Sequence, residues 1–181
     1  LYGPTGLGVL YASDSIKHTM RPVHFGGEMI TQVTRQQSCF QSYPSLLETG
    51  TPNIAGVIGL SAAIDFVRSD EYQQQHDVIE SLYKKLIERL QMIPQVKLFG
   101  DQNNNVGIIS FVVQGESVAD VGMLLDQQNI AVRCGHHCAM PLMTTLQLEG
   151  TIRVSLSVYN DEHDIDRFIV ALTSAIDMLA I

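Results

Sequence analysis

The residues best suited to chemistry are concentrated in residues 133–141, which read RCGHHCAMP. Two cysteines and two histidines are all metal-ligand types. Four ligands within five residues, however, leave little backbone to wrap around a tetrahedral ion, and a zinc motif normally takes a second ligand pair from elsewhere in the chain. No such pair is present in the sequence. We therefore expect no metal site here.

Two interpretations of this stretch remain. It is either a turn with a buried structural cysteine and incidental histidines, or a loop that presents a nucleophilic thiol. A cysteine becomes reactive when it is accessible and when nearby positive charge or hydrogen-bond donors stabilise its thiolate. Arg133, His136 and His137 lie within five residues of Cys138. Composition alone supports the two interpretations about equally.

Strands and helices on either side must position this loop. Strands are predicted at 96–99, 106–113, 130–134 and 151–158, so the last two enter and leave the loop. Apolar residues at helical spacing predict a helix over 71–91, ended by Pro94. Ser117 and Asn160 are the predicted N-caps of two further helices. The alternation of helices and strands indicates an α/β or α+β domain from about residue 69.

The first sixty-odd residues have a weaker pattern. A short strand is predicted at 6–13 (GLGVLYAS), and a helix at 54–67 whose small residues would permit close packing. Between them, residues 22–51 show little periodicity and several glycines and prolines. Such a length is unusual for a structureless connection, and it suggests a functional loop or a segment ordered by a partner. This region looks like part of a larger unit.

Composition limits the classes of function. The chain has 181 residues, 45% of them hydrophobic, and a net charge of -8, so it can bury a core but offers no electrostatic footprint for nucleic acid or an anionic membrane. No apolar run is long enough to span a bilayer. Three cysteines do not indicate a disulfide framework. They suit a reducing compartment, and we expect a cytoplasmic protein.

The segment RCGHHCAMPLM (133–143) resembles the active-cysteine loop of the Suf-type (group II) cysteine desulfurases, pyridoxal-phosphate enzymes of the aminotransferase class V family. Four other segments resemble that family in the same order: LYGPTG (1–6), GGEMI (26–30), ETGTPN (48–53) and RVSLSVYN (153–160). The resemblance covers essentially the whole chain. It implies a fold type I aminotransferase-like α/β fold, with the end of the large cofactor domain at 1–68 and the small α+β domain at 69–181.

The resemblance also implies site residues. In the family, pyridoxal phosphate is the electron sink while a cysteine thiolate takes sulfur from L-cysteine, releasing alanine and leaving a persulfide. Cys138 would be that nucleophile. Arg153 would hold the substrate carboxylate, the alternative being a solvent-exposed strand arginine. Arg133 would help to hold substrate, stabilise a thiolate or anchor the loop.

Other implied roles concern the cofactor and partners. Thr51 and Gly50 would contact the cofactor phosphate of a neighbouring subunit, which implies a homodimer. His136 and His137 would act in proton transfer or in structural hydrogen bonds. The cofactor lysine is expected immediately upstream of Leu1, so this chain alone should not turn over cysteine. The family further implies a small SufE-type sulfur acceptor and a role in iron–sulfur cluster assembly.

Alternatives remain open. Cys134 departs from the small non-thiol residue expected there, and it either packs like that residue or forms a disulfide or sulfur relay with Cys138. The chain is also compatible with a sulfur-acceptor or partner-binding role without catalysis. Within the enzyme class, a selenocysteine lyase, cysteine sulfinate cleavage or transamination would use much the same framework, although transamination needs no thiol.

Overall fold

The computed structural model describes residues 2–103 and 105–180, and the chain divides into two compact units. The first unit extends to Ser69 and the second begins at Asp70. Leu1, the first residue of the predicted 1–6 segment, lies outside the described residues. Across the described ranges, no helix combines the length and the hydropathy that crossing a bilayer requires.

The first unit is organised around one helix, α1 (Ile54–Val67), which the small-residue pattern predicted with the same bounds. Its N-cap is Asn53, whose Oδ1 accepts a hydrogen bond from the Gly56 amide at 3.0 Å. A Cβ on Gly59 would lie 2.7 Å from Pro4 Cγ, so a glycine is needed for this close approach. The predicted close packing is therefore confirmed at Gly59.

The remainder of the first unit differs from prediction. The predicted strand at 6–13 is wrong, because these residues form no strand, and Val9 and Tyr11 are exposed. Apolar residues in a row make a strand only when a neighbouring backbone pairs with them. Within the aperiodic 22–51 region, β1 (Ile30–Val33) and β2 (Ser38–Phe40) form an antiparallel hairpin. Short 3₁₀ turns lie at Lys17–Thr19 and Ser45–Leu47.

The second unit is a four-stranded antiparallel sheet with helices. In chain order its elements are α2 (Asp70–Gln91), β3 (Val96–Phe99), β4 (Ile108–Val113), α3 (Val118–Gln127), β5 (Arg133–Gly135), α4 (Met140–Leu146), β6 (Thr151–Ser155) and α5 (Glu162–Leu179). The strand order is β3-β4-β6-β5, so β5 is an edge strand. All of its pairings are antiparallel.

The core lies on one side of this sheet. Alternate residues of β4 are buried, and the buried ones pack with apolar residues of α2, α3, β6 and α5. Phe111 of β4 meets Phe168 of α5 edge-on, with ring centroids 6.3 Å apart. We call the side that carries Phe111 and Ile152 the core face and the opposite side the open face. Register places Phe99, Ser110, Arg153 and Arg133 in one row across the open face.

Several predicted boundaries in this unit need correction. Strand 96–99, the Ser117 cap and the end of the predicted helix at residue 91 are confirmed. Helix α2 begins one residue earlier than predicted, at Asp70, and β4 begins at Ile108 rather than at residue 106. Strand β5 is only 133–135 and β6 ends at Ser155. The chain turns after β6 because the Ser157 amide donates to Asn160 Oδ1 at 2.9 Å.

Two other corrections concern helices. The N-cap of α5 is Asp161 rather than Asn160. Asn160 instead donates to Asp164 in the first turn, at 3.0 Å. Helix α4 was not predicted at all. Its seven residues span fewer than two turns, too short for a hydrophobic period to be recognised.

Candidate active site

Cys138 lies on a sharply bent loop between β5 and α4. His137 and Cys138 have φ values of 53° and 59°, so two consecutive non-glycine residues adopt the left-handed conformation. Each such residue costs on the order of 1–3 kcal/mol and persists only where its surroundings hold it. The Cys138 residue is exposed. The loop therefore presents its thiol to solvent in a conformation that other contacts must maintain.

Hydrogen bonds within the loop and to β6 supply those contacts. The Cys138 amide donates to His136 Nδ1 at 3.1 Å, and the Ala139 amide donates to the His136 carbonyl at 2.9 Å. His137 Nε2 lies 3.0 Å from the Thr151 carbonyl oxygen and 2.9 Å from Thr151 Oγ1. Because a carbonyl can only accept, Nε2 carries the proton and donates. The bend is thus fixed by the backbone and by two imidazole rings.

Two arginines lie beside this loop. Arg133 of β5 is directly opposite Arg153 of β6 in the antiparallel register, so both extend from the open face. Arg133 Nη2 is 3.5 Å from Cys138 Sγ, within reach for donation to sulfur. Like charges directly opposite one another destabilise a strand pair. The arrangement therefore favours the binding of an anion, such as a carboxylate, next to the two guanidinium groups.

Arg153 is half-buried, which does not support the alternative of a solvent-exposed strand arginine. Its Nε atom is buried and has no hydrogen-bond partner within the described residues. A buried guanidinium N–H suits an incoming acceptor such as a carboxylate, because burial strengthens the bond when it forms. Arg153 is therefore available to bind an anion such as a carboxylate.

A pocket of about 440 Å³ lies between the open face of the sheet and α4. Leu142 and Met143 of α4 form part of its wall, while His137, Thr151 and Arg153 supply polar groups. Apolar walls lower the local dielectric, so the few polar groups inside interact more strongly with an anion than they would in water.

The environment of His137 keeps its ring neutral. Burial lowers the pKa of His137 below its ordinary value of 6.5, and the charges of Arg153 and Arg133 act in the same direction. The hydrogen bond to the Thr151 carbonyl opposes them but does not reverse the shift. Since Nε2 is already donating and Nδ1 is buried without a partner among the described residues, His137 is poorly placed to move a proton. His136 is exposed and stays the better candidate for proton transfer.

Cys134 is separated from Cys138 by the alternation of β5. It pairs in register with Ile152 on the core face, whereas Arg133, which reaches Cys138, is on the open face. A Cβ on Gly122 of α3 would lie 2.4 Å from Cys134 Sγ, so the thiol rests against that glycine. Burial raises the pKa of the Cys134 thiol. All three cysteines are free, and the geometry does not support a disulfide or a relay between Cys134 and Cys138.

The predicted phosphate contacts lie in the first unit. Gly50 has a φ of 72°, and its amide donates to the Gly27 carbonyl at 3.0 Å, so this amide is not available to a phosphate. A Cβ on Gly50 would meet nothing within 4 Å. Thr51 is exposed just before α1. A threonine hydroxyl and amide beside a glycine fit a phosphate contact.

The structure thus brings Cys138, Arg133, Arg153, His136 and His137 together in the second unit, and places Gly50 and Thr51 in the first. Thr151 is the site residue that the sequence did not indicate. It begins β6 and is only 2% exposed. Its relation to His137 depends on strand pairing, so the only local signal was its position two residues before Arg153 on the same face of a strand.

Comparison with known proteins gives one consistent result. The sequence profile of the family described as aminotransferase class-V matches residues 1–168. A protein named probable cysteine desulfurase in Xylella fastidiosa (strain Temecula1) is 44% identical over 172 residues, which are 95% of this chain and 41% of that protein.

Solved structures agree with this result. The cysteine desulfurase CsdA (S-sulfonic acid) from Escherichia coli superimposes with a TM-score of 0.89 at 36% identity, over 98% of this chain and 44% of that one. The apo cysteine desulfurase from Thermococcus onnurineus NA1 superimposes with a TM-score of 0.86 at 34% identity, over 97% of this chain and 44% of that one. The chain therefore spans less than half the length of these relatives. By the match of its sequence and the likeness of its fold, the chain belongs to the aminotransferase class-V family.

Proposed function

We propose that this chain is part of a Suf-type (group II) cysteine desulfurase, which converts L-cysteine to L-alanine and leaves the sulfur as a persulfide on Cys138. The observation that carries the proposal is the exposed Cys138 thiol, held on a strained loop with the Arg133 guanidinium 3.5 Å from its sulfur. An accessible sulfur can reach the sulfur of a bound substrate, and the thiolate is its nucleophilic form. The names of the relatives support the same reaction.

In the proposed reaction, three residues of the second unit have separate roles. Arg153 binds the substrate carboxylate through its guanidinium, whose buried Nε is one of the donors. The Cys138 thiolate attacks the substrate sulfur and forms a new S–S bond while the substrate C–S bond breaks, and the bonding pair stays with the carbon. That carbon then takes a proton, and the product is alanine. His136, exposed beside the thiol, is the residue placed to move a proton at Cys138.

Pyridoxal phosphate is the cofactor in this proposal. When bound, it supplies the electron sink that makes cleavage of the C–S bond feasible. Thr51 would hold the cofactor phosphate through its hydroxyl and amide, and Gly50 would allow the close approach without donating its amide. The Schiff-base lysine would be supplied by a part of the protein outside this sequence. The contact from Thr51 to the neighbouring subunit's cofactor makes the enzyme a homodimer in this proposal.

The physiological setting follows from the same proposal. A thiol that is exposed on a loop can be reached by a small acceptor protein, and a SufE-type acceptor would pass the sulfur to iron–sulfur cluster assembly. Three free cysteines suit the reducing cytoplasm. None of these properties is needed for the chemistry at Cys138.

The decisive experiment uses the full-length protein with pyridoxal phosphate and L-cysteine. We expect Cys138→Ser to abolish alanine formation and the persulfide that mass spectrometry detects on the wild type. Cys134→Ser is the matched control, and it should retain both because its side chain is on the core face. Alanine formation that survives Cys138→Ser would contradict the proposal. A full-length protein that binds no cofactor would point instead to a sulfur-acceptor or partner-binding role, and a strong preference for selenocysteine to a lyase.

A further inference from the structure

We propose that His137 is a positioning residue: its ring, anchored on Thr151, sets the position of the Cys138 thiol relative to Arg153. This inference rests on the proposed role of Cys138 as the nucleophile. It assigns to His137 a task other than proton transfer, and it adds Thr151 to the functional residues.

The first argument is that the Cys138 conformation needs an anchor. His137 and Cys138 are both left-handed, and neither is a glycine. The other side chains that hold the loop, His136 and Arg133, are exposed and are therefore free to exchange their contacts with water. His137 is the one whose ring is tied to buried structure, at 2.9 and 3.0 Å from two oxygens of a residue that is 2% exposed. Its contact is therefore the one most able to keep the loop bent.

The second argument concerns what the anchor is attached to. Thr151 and Arg153 are two residues apart on β6, so they share the open face and are about 7 Å apart along the strand. Thr151 pairs with Gly135, and Arg153 pairs with Arg133. The loop from 136 to 138 thus leaves one strand of this pair and is tied by His137 to the other. A nucleophile fixed to the strand that carries the carboxylate-binding arginine has a defined distance to the substrate sulfur.

The third argument is electrostatic. The groups that face the His137 ring are Arg133, Arg153 and His136, and a protonated His137 would add a third positive charge next to the two guanidinium groups. A neutral ring avoids that repulsion and still donates from Nε2. Glutamine has a similar donor but a flexible stem, so it would hold the loop less rigidly than a ring.

The test uses the full-length holoenzyme and two substitutions at Thr151. Thr151→Val keeps the buried volume but removes the hydroxyl acceptor, whereas Thr151→Ser keeps the hydroxyl. We expect Thr151→Val to lower kcat for alanine formation roughly tenfold with KM within about twofold, and Thr151→Ser to stay close to the wild type. His137→Ala should lower kcat on the order of a hundredfold, because it removes the anchor entirely. His137→Gln should fall between these variants.

A second readout does not depend on turnover. The rate of Cys138 alkylation by iodoacetamide, followed by mass spectrometry without substrate, should change in Thr151→Val and His137→Ala but not in Thr151→Ser. An equal fall of kcat in Thr151→Val and Thr151→Ser would show that the Thr151 side chain acts through packing alone, and it would overturn the inference. So would an unchanged alkylation rate in folded His137→Ala, or a rise in KM without a fall in kcat. Failure of the desulfurase proposal would instead appear as turnover that survives Cys138→Ser.

Discussion

At the scale of single residues, the site depends on side chains being assigned to different faces of one short strand. Arg133 and Cys134 are neighbours in sequence, yet Arg133 reaches the Cys138 thiol on the open face while Cys134 rests against Gly122 on the core face. Their chemistry differs accordingly. The guanidinium nitrogen lies 3.5 Å from the Cys138 sulfur, whereas loss of hydration raises the pKa of the Cys134 thiol.

His137 gives a prediction about pH. Its folded-state pKa lies below the ordinary value of 6.5, so the folded state binds fewer protons than the unfolded state in this range. The stability that His137 contributes is therefore complete above about pH 6.5 and is lost as the pH falls through its folded pKa. We expect the melting temperature of the wild type to fall between pH 7 and pH 5 more steeply than that of His137→Gln. Parallel pH profiles would contradict this expectation.

At the scale of secondary-structure elements, the contact between α3 and β5 depends on one glycine. Helix α3 can approach the strand at Cys134 only because residue 122 is a glycine, since a Cβ there would lie 2.4 Å from the sulfur. Glycine within a helix costs about 1 kcal/mol relative to alanine, so the contact is retained against helix propensity. Cys134 and Gly122 therefore act as a fitted pair in which the thiol takes the space that a methyl group would need.

This pair can be tested by a double-mutant cycle. We expect Gly122→Ala alone to destabilise the protein by about 1–3 kcal/mol, because it overpacks the helix–strand contact. In a Cys134→Ala background the nearest remaining atom is Cys134 Cβ at 3.4 Å, an ordinary contact. There the same substitution should be neutral or stabilising, since helix propensity alone remains. Urea denaturation of the four proteins measures this coupling, and additive effects would show that the two residues are independent.

Elements could be predicted from sequence where one periodicity extends over several turns or a full strand. The apolar stripe of α2 and the strand at 96–99 are examples. The predictions were wrong where strand pairing determines whether a segment becomes a strand. Residues 130–132 are apolar like a strand, but β5 begins only at Arg133, where β6 provides a partner. The stretch at 6–13 has no such partner, and α4 is too short to show a period.

At the scale of the whole chain, the two units differ in how much apolar surface they bury. The main hydrophobic cluster belongs entirely to residues of the second unit. In the first unit Val9, Tyr11 and Val23 remain more than 80% exposed. Large exposed apolar side chains in such numbers indicate surfaces that other protein segments cover.

This difference predicts how separate pieces behave. We expect residues 70–181 to unfold cooperatively as an isolated domain, because their core is self-contained. Residues 1–69 should lack a cooperative transition and bind a hydrophobic dye. Circular dichroism during heating and dye fluorescence measure these outcomes. A non-cooperative melt of the 70–181 piece would show that its core needs more of the protein.

The candidate site shows the same division between local and long-range information. Residue types and family resemblance singled out Cys138, Arg133, Arg153 and the two histidines. Their arrangement depends on the antiparallel register that sets Arg133 opposite Arg153, and on the Thr151 anchor, which lies 14 residues from His137. No local pattern encodes such a pairing, because it is a property of two strands that meet only in the folded chain.

The facing arginines have a consequence for the motion of the sheet. Strand β5 is a three-residue edge strand, and its pairing with β6 is opposed by two positive charges in register. Backbone amides of β5 should therefore exchange with deuterium faster than those of β4, and an oxyanion such as sulfate should slow them by neutralising the pair. In Arg133→Gln the β5 amides should exchange more slowly even without sulfate, and sulfate should not change their exchange rate. On this view an anion bound between the two arginines helps to close the strand that leads to Cys138.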